Sequence, residues 1–215
     1  MKKTKRSTVK RAPKRGHYDS ETVHKILDQN HICHVGIVYN GAPLVIPTLY
    51  GRSGNQLFIH GASVSRLMTE LEQEIELSIS VAKTKGLVLA RSAFHHSLNY
   101  ESVVLFGKGK SITDTEEKRD ALKSVSDHLI PGRWEEVRQP TTKELKATKI
   151  IAIPLEEVTA KIRTGGPVDD KSDYKLDVWA GELPLIEHYG SPIPDENFES
   201  KSKNLPQSVL SLLDS

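Results

Sequence analysis

Two short stretches carry most of the candidate chemistry in this chain. The first is Leu57-Phe58-Ile59-His60-Gly61-Ala62-Ser63-Val64-Ser65-Arg66. An apolar run meets a glycine, two serines and an arginine just before a helical pattern begins. Backbone N–H groups at a helix start, serine hydroxyls and a bidentate guanidinium all donate to phosphate oxygens, so an anion site is one reading. An ordinary cap, with Ser63 capping and Arg66 solvated, is the other. His60, at the strand end, is either a ligand contact or a hydrogen-bonded structural residue. The second stretch is Ser92-Ala93-Phe94-His95-His96-Ser97-Leu98-Asn99-Tyr100-Glu101-Ser102-Val103. Most of its side chains hydrogen-bond, and it leads into an apolar strand. The adjacent histidines suggest a metal, but neighbours on an extended chain point to opposite faces. No Cys-x-x-Cys or His-Glu-x-x-His spacing accompanies them. No metal site is expected, and a polar wall around a planar ligand suits the composition better.

Three smaller features stand beside these. Pro47, within Ile46-Pro47-Thr48-Leu49-Tyr50, implies an edge strand or an unusual local geometry. Trp179, followed by the small Ala180 and Gly181, reads as an interface anchor or as a core plug. Cys33 and His34 form no recognisable nucleophile pair, and a lone cysteine on an apolar strand is usually buried filler. The sequence offers no catalytic pair.

The elements that must position these residues follow from periodicity. His17–Asn30 predicts a helix, capped by Asp19 or Ser20, with Val23, Ile26 and Leu27 on one face. Ile32–Tyr39 and Leu44–Tyr50 predict a hairpin across Asn40-Gly41. A turn over 51–55 leads to a strand at Gln56–His60. Val64, Leu67, Met68 and Leu71 then follow helical spacing. Glu76–Val81, Gly86–Ala90 and Tyr100–Phe106 predict strands. Thr113 and Glu116 predict a capping box for a helix reaching Leu129, stopped by Pro131-Gly132. A short helix at Thr141–Ala147 precedes closing strands at Lys149–Ile153 and Val158–Arg163. Beyond Pro206 a marginal helix is expected. Many short antiparallel strands with helical insertions imply a closed or nearly closed sheet, which removes exposed edges.

Composition bounds the rest. The chain has 215 residues, 37% hydrophobic and 27% charged, enough for one sizeable soluble domain. No apolar run is long enough to cross a bilayer as a helix. The opening residues MKKTKRSTVKRAPKR lack the apolar centre of a secretory signal. One cysteine fits a reducing compartment, so a cytoplasmic location is expected. Residues 1–15 hold eight Lys or Arg and no acid, while the remainder holds 22 basic and 28 acidic residues, a net of −6. The basic segment therefore reads as a solvated, disordered tail, and nucleic-acid binding is not indicated.

Taken in order, these segments resemble a known family. The carriers are Ile46-Pro47-Thr48-Leu49-Tyr50, Leu57–Ser63, Arg91–Gly107 with its His-His-Ser-x-Asn-Tyr block, Arg163-Thr164-Gly165, and Val178-Trp179-Ala180-Gly181. The chain is similar to the flavin-nucleotide-binding branch of the pyridoxamine 5′-phosphate oxidase-related proteins, to which nitroimidazole-resistance proteins are also related. The resemblance covers about residues 17–190. It implies a mainly β, α+β split β-barrel over residues 16–190, between the tail and a C-terminal extension at 191–215. It implies a homodimer with two FMN sites at the subunit interface. By the same resemblance Ile46, Pro47, Thr48, Leu49 and Tyr50 line the isoalloxazine. His60, Ser63, Ser65 and Arg66 face the ribityl phosphate, Ser97, Asn99 and Ser102 border the flavin, and Trp179 arrives from the partner. Family members often carry a basic residue where Glu101 stands, which points away from pyridoxamine phosphate as substrate. The expected function is an FMN-dependent oxidoreductase acting on an unidentified small molecule. The alternatives are a non-catalytic flavin carrier or sensor, and a haem-binding relative.

Overall fold

The structure is a computed structural model that describes residues 1–197 and 204–214. A two-residue strand, β1 (Gly16–His17), precedes helix α1 (Ser20–Asp28). The Asp19 carboxylate caps α1 by accepting from the Thr22 N–H at 2.8 Å, and Val23, Ile26 and Leu27 are buried. Strands β2 (Ile32–Tyr39) and β3 (Ala42–Leu49) pair from Ile32–Leu49 to Tyr39–Ala42. Asn40 and Gly41, with φ of 50° and 78°, supply the two left-handed residues that a type I′ hairpin requires. Then come β4 (Gly51–Ser53), β5 (Gln56–Ala62), α2 (Arg66–Leu71), β6 (Glu76–Leu89), β7 (Ser97–Lys108) and β8 (Lys110–Ser111). Helices α3 (Thr115–Leu129), α4 (Arg133–Glu136) and α5 (Thr142–Ala147) lead to β9 (Thr148–Pro154) and β10 (Glu157–Arg163). A long arm carries β11 (Gly181–Pro184), and α6 (Gln207–Leu213) lies near the end.

All pairings are antiparallel. One sheet runs β1-β10-β7-β6-β2-β3, with β11 added on β6; the other runs β4-β5-β9-β8. Their inner faces share one core, with Val35, Ile37, Leu77, Ile79, Val103 and Leu105 from the first sheet and Leu57, Ile59, Ile151 and Ile153 from the second. Helices α1 and α2 plug it with Ile26, Leu27, Met68 and Leu71. The result is the expected split β-barrel. Helix α3 covers the outside of the smaller sheet, where Ala121 and Val125 meet Phe58 and Ile150. It approaches so closely that a Cβ on Gly51 would stand 2.5 Å from the Val125 Cα, so that position takes only glycine.

Three local expectations change. The cap of α3 is Asp114, which accepts from the N–H groups of Glu116 and Glu117, and a capping box forms instead at Thr141 and Glu144 of α5. The two strands expected over 76–90 are one, because a register shift between Thr84 and Gly86 lets the ladder with β7 continue. One edge of β6 therefore serves two partners, β2 along Ser78–Ser80 and β11 along Gly86–Leu89. The arm's pairing extends one step further, where the Leu185 N–H donates to the Lys85 carbonyl at 3.0 Å.

The third change concerns the basic N-terminal segment, which does not stand off the barrel. Met1 packs against the core, and the Lys2 N–H donates to the Glu156 carbonyl at 2.6 Å. Arg6 lies over the Phe106 ring and pairs with Glu76 and Glu157 at 2.9 and 2.7 Å. The Thr159 hydroxyl donates to the Ser7 carbonyl, and Ser7 is buried. The body's acidic surplus supplies the counter-charges, which sequence separations of 70 and 151 residues hide from a linear reading. Near the other end, the Ser208 hydroxyl donates to Glu136 at 2.5 Å. Part of the expected extension, 198–203 and residue 215, lies outside the described residues. Among the described residues no helix is long and apolar enough to cross a membrane.

Deleting residues 1–9 is expected to destabilise the fold by about 1–3 kcal/mol, a drop of several degrees in melting temperature. The loss comes from Met1 packing and the Ser7–Thr159 bond, because exposed ion pairs such as those of Arg6 contribute little. Thermal unfolding of the truncated protein checks this, and an unchanged melting temperature contradicts it.

Candidate functional site

The first polar cluster forms where β5 runs into α2. Gly61 permits the sharp return, since a Cβ there would meet the Met68 side chain at 2.9 Å. The Ser63 N–H donates to the Ala147 carbonyl and the Ser65 N–H to the Ala62 carbonyl, which fixes the loop. Ser65 holds the N-cap position of α2, yet its hydroxyl makes no capping bond. Ser63 is not the cap. Arg66 is exposed, its guanidinium sits 5.2 Å from the Tyr39 ring centroid, and it makes no ion pair among the described residues. Hydroxyls and a guanidinium are thus presented together with no carboxylate among them.

His60 is the buried member of this cluster. Its Nδ1 is enclosed without a hydrogen-bond partner, and burial pushes its pKa below the usual histidine value. The imidazole is held neutral. Beside the cluster, β3 is the edge strand of the larger sheet, as Pro47 predicted. Val45, Pro47 and Leu49 point outward and are exposed, while Ile46 and Thr48 alternate inward. Tyr50 corrects the expected lining. Its side chain is buried, and its hydroxyl donates to the Leu27 carbonyl at 2.5 Å, tying off the end of α1. That phenol belongs to the core and is not available to a ring ligand.

The second polar cluster gathers on β7 and the arm. Ser97 and Asn99 share the face of Val103, whereas Ser102 faces the opposite side and donates to the Lys161 carbonyl at 3.3 Å. The three residues expected to border one ligand therefore divide between two faces. Asn99 is fully engaged. Its carbonyl oxygen accepts from Arg163, and its Nδ2 donates to Glu182 of β11 at 2.6 Å. Arg163 also donates to the carbonyls of Gly165 and Gly166 at 2.9 and 3.1 Å. A second clamp joins Arg91 to Asp169: the backbone N–H and Nη1 of Arg91 each donate at 3.0 Å to a carboxylate with no exposed side-chain surface. Sequence reasoning did not assign roles to Arg91, Asp169 or Glu182, and took Arg163 only as part of a motif. A buried guanidinium needs distant acceptors, and only the fold supplies them.

His95 and His96 go separate ways. His96 Nδ1 accepts from the Ala90 N–H at 2.9 Å, and His95 approaches Asp170 at 3.5 Å. Among the described residues no group of three His, Cys, Asp or Glu is placed to hold a metal ion. The Cys33 thiol is buried and its pKa is pushed up to about 12, so it is no nucleophile. Trp179 is 68% exposed, which removes the core-plug reading within one chain. A Cβ on Gly181 would stand 3.2 Å from its ring.

A single chain does not bring the two clusters together. Strands β2 and β6 stand between β3 and β7, three strand spacings or roughly 14 Å. The structure defines a split-barrel protein with a cluster of hydroxyls and a guanidinium at an edge strand and an arm, carrying an exposed tryptophan, paired to β6. The profile described as pyridoxamine 5′-phosphate oxidase matches residues 19–162, and the chain belongs to that family. Among similar solved structures, a flavocytochrome from Azotobacter vinelandii is 37% identical, covers 97% of each chain and has a TM-score of 0.91. An FAD and haem binding protein from Mycobacterium smegmatis is 33% identical over 93% of this chain and 97% of its own, with a TM-score of 0.88. A 5-nitroimidazole antibiotic resistance protein from Bacteroides thetaiotaomicron shares the fold at 24% identity over 68% of this chain and 86% of its own, with a TM-score of 0.58. No curated protein matches the chain.

His60 yields a pH prediction. A histidine whose folded pKa lies below its unfolded value of about 6.5 stabilises the fold in its neutral form. That contribution is full above pH 6.5 and is lost as pH falls toward the depressed value. The denaturant midpoint is expected to fall between pH 7.5 and 5.5, and His60→Asn to flatten that fall. Parallel profiles for the two proteins would show that His60 carries none of it.

Proposed function

We propose that this protein is a homodimeric flavocytochrome-type oxidoreductase that holds a flavin against β3 and the start of α2 and also holds a haem. The carrying observation is the β5–α2 junction, where the uncapping Ser65 hydroxyl, Ser63 and the exposed Arg66 lie beside an edge strand. Those donors suit a phosphate dianion, and edge-strand backbone suits the rim of a planar ring. The flavin part agrees with the likeness to a flavocytochrome and to an FAD and haem binding protein. The second of these favours FAD over the FMN expected from sequence.

A bound flavin would supply hydride and electron transfer. The chain's own residues bind, orient and exclude water. Arg66 and Ser65 donate to the phosphate, Ile46 to Leu49 set the depth of the ring, and Trp179 of the arm shields it from the other subunit. Two copies are needed because the clusters are separated in one. Exposed Ile32, Val38, Val45, Leu49 and Val104 on the sheet, with Trp179, Leu183 and Ile186 on the arm, give an apolar surface that a second copy would cover. A cytoplasmic setting agrees with the single buried thiol.

Arg66→Ala is expected to weaken FMN and FAD binding by about 1.5–3 kcal/mol, or roughly tenfold to a hundredfold, and to leave riboflavin binding unchanged. Fluorescence titration of the three flavins checks this. Equal losses for all three would place the phosphate elsewhere.

A further inference from the structure

The N-terminal segment holds more cations than the carboxylates around it neutralise. Arg6 is paired to Glu76 and Glu157, and Lys3 lies over the Tyr18 ring at 4.6 Å. Lys10, Arg11, Lys14 and Arg15 make no ion pair among the described residues, and the first three are exposed. These four belong to a closed bend. The Val9 N–H donates to the Tyr18 hydroxyl at 2.9 Å, and the Val9 side chain lies so near Gly16 that a Cβ there would stand 3.0 Å from it. Between these anchors Ala12 is left-handed, with φ of 53°, and its carbonyl accepts from the Arg15 N–H at 3.0 Å. Beyond the bend, β1 pairs with β10. Four cations within residues 10–15 are thus presented by ordered backbone, against their mutual repulsion.

The bend stands at the root of the arm. Burial, and after it the charge of Arg15, hold the Arg163 guanidinium below the usual arginine value. Arg15 therefore lies close to the clamp that fixes Gly165, Gly166 and, through Asn99, Glu182.

The surroundings select the kind of anion. The bend lines none of the cavities of about 980, 560 and 440 Å³, so it offers a surface rather than a small-molecule pocket. The long apolar side chains of the segment, Met1 and Val9, pack inward, which leaves a bilayer no anchor to bury. Residues 16–215 carry 22 basic and 28 acidic residues, a net of −6. An extended polyanion such as a nucleic acid would run from the bend onto a repelling surface. A folded protein with a compact acidic face meets the cations alone. Opposed charged patches steer encounter and fix orientation, and electron-transfer pairs are held by small contacts of this type.

We propose that Lys10, Arg11, Lys14 and Arg15 form the docking surface for an acidic one-electron carrier protein. The inference rests on the flavocytochrome reading and adds to it the class of the electron donor. In each encounter the reduced carrier loses one electron and the cofactor bound to this protein gains it. Two encounters supply an electron pair, protons come from solvent, and no bond forms between the two proteins.

The test mixes the full chain, carrying its flavin, with a reduced acidic two-iron ferredoxin in an anaerobic stopped-flow instrument. Ferredoxin oxidation is followed by absorbance as salt is raised. The second-order rate is expected to fall roughly tenfold to a hundredfold between low and high salt. Lys10→Gln, Arg11→Gln, Lys14→Gln and Arg15→Gln combined should flatten that dependence and slow the low-salt reaction by about the same factor. Melting temperature and the rate of reduction by dithionite should not fall, because none of the four side chains bonds within the chain. Lys10→Arg with Lys14→Arg keeps the charge and should keep the wild-type rate. Equal rates for wild type and the neutralised variant at every salt concentration would overturn the docking surface while the flavin reading stands. Duplex DNA that blocks the reaction at concentrations well below that of ferredoxin would overturn the acidic-protein assignment in favour of a nucleic acid. Wild type that takes up no flavin, seen in its spectrum before mixing, would overturn the flavocytochrome reading and the donor class with it.

Discussion

The far side of the barrel depends on one buried charge. Arg163 is 6% exposed, and desolvation pulls its pKa below the usual arginine value. A guanidinium in that position is tolerated only when acceptors surround it. Asn99, Gly165 and Gly166 provide them, and Asn99 passes the link on to Glu182. In this way the end of β10, the polar half of β7 and strand β11 are joined through a single side chain. The arm reaches the barrel a second time through Arg91 and Asp169, with Tyr174 stacked 4.9 Å from the Arg91 guanidinium. These two arginines, together with the ladder between β11 and β6, hold the arm that carries Trp179.

That arrangement explains why the arm exposes so much apolar surface without being loose. Val178, Trp179, Leu183, Leu185 and Ile186 are each at least half exposed, yet the backbone between them is paired to β6. A segment held by buried polar bonds and left bare on its outer face suits a second surface rather than folding inward. The Ser63–Arg66 junction lies apart from it in one chain, so the proposed flavin site takes a second copy to complete it.

Much of the fold was legible in the residues because its signals are local. Asn40-Gly41 specified the hairpin, the spacing of Leu67, Met68 and Leu71 specified α2, and Pro47 specified an edge. The junction of β5 and α2 was legible for the same reason, since Ser63, Ser65 and Arg66 lie within four consecutive positions. What stayed hidden depended on contacts far apart in sequence. Tyr50 reads as a strand residue until Leu27 appears above its hydroxyl. Ser102 and Asn99 read as one wall until their parity on β7 separates them. The basic N-terminus reads as repulsive until Glu76 and Glu157 are brought beside it. The two arginine clamps belong to this group, because a charge reads as solvated surface in any linear window.

The central claim is that the arm's aromatic residue completes a flavin site in the assembled protein, and Trp179 reports on it directly. In a Trp134→Phe background the only indole left is Trp179. Its emission should be strongly quenched as flavin is titrated, because an isoalloxazine within contact distance accepts its excitation. Emission that stays constant at saturating flavin would mean that the arm does not reach the flavin, and the two-subunit site would fall.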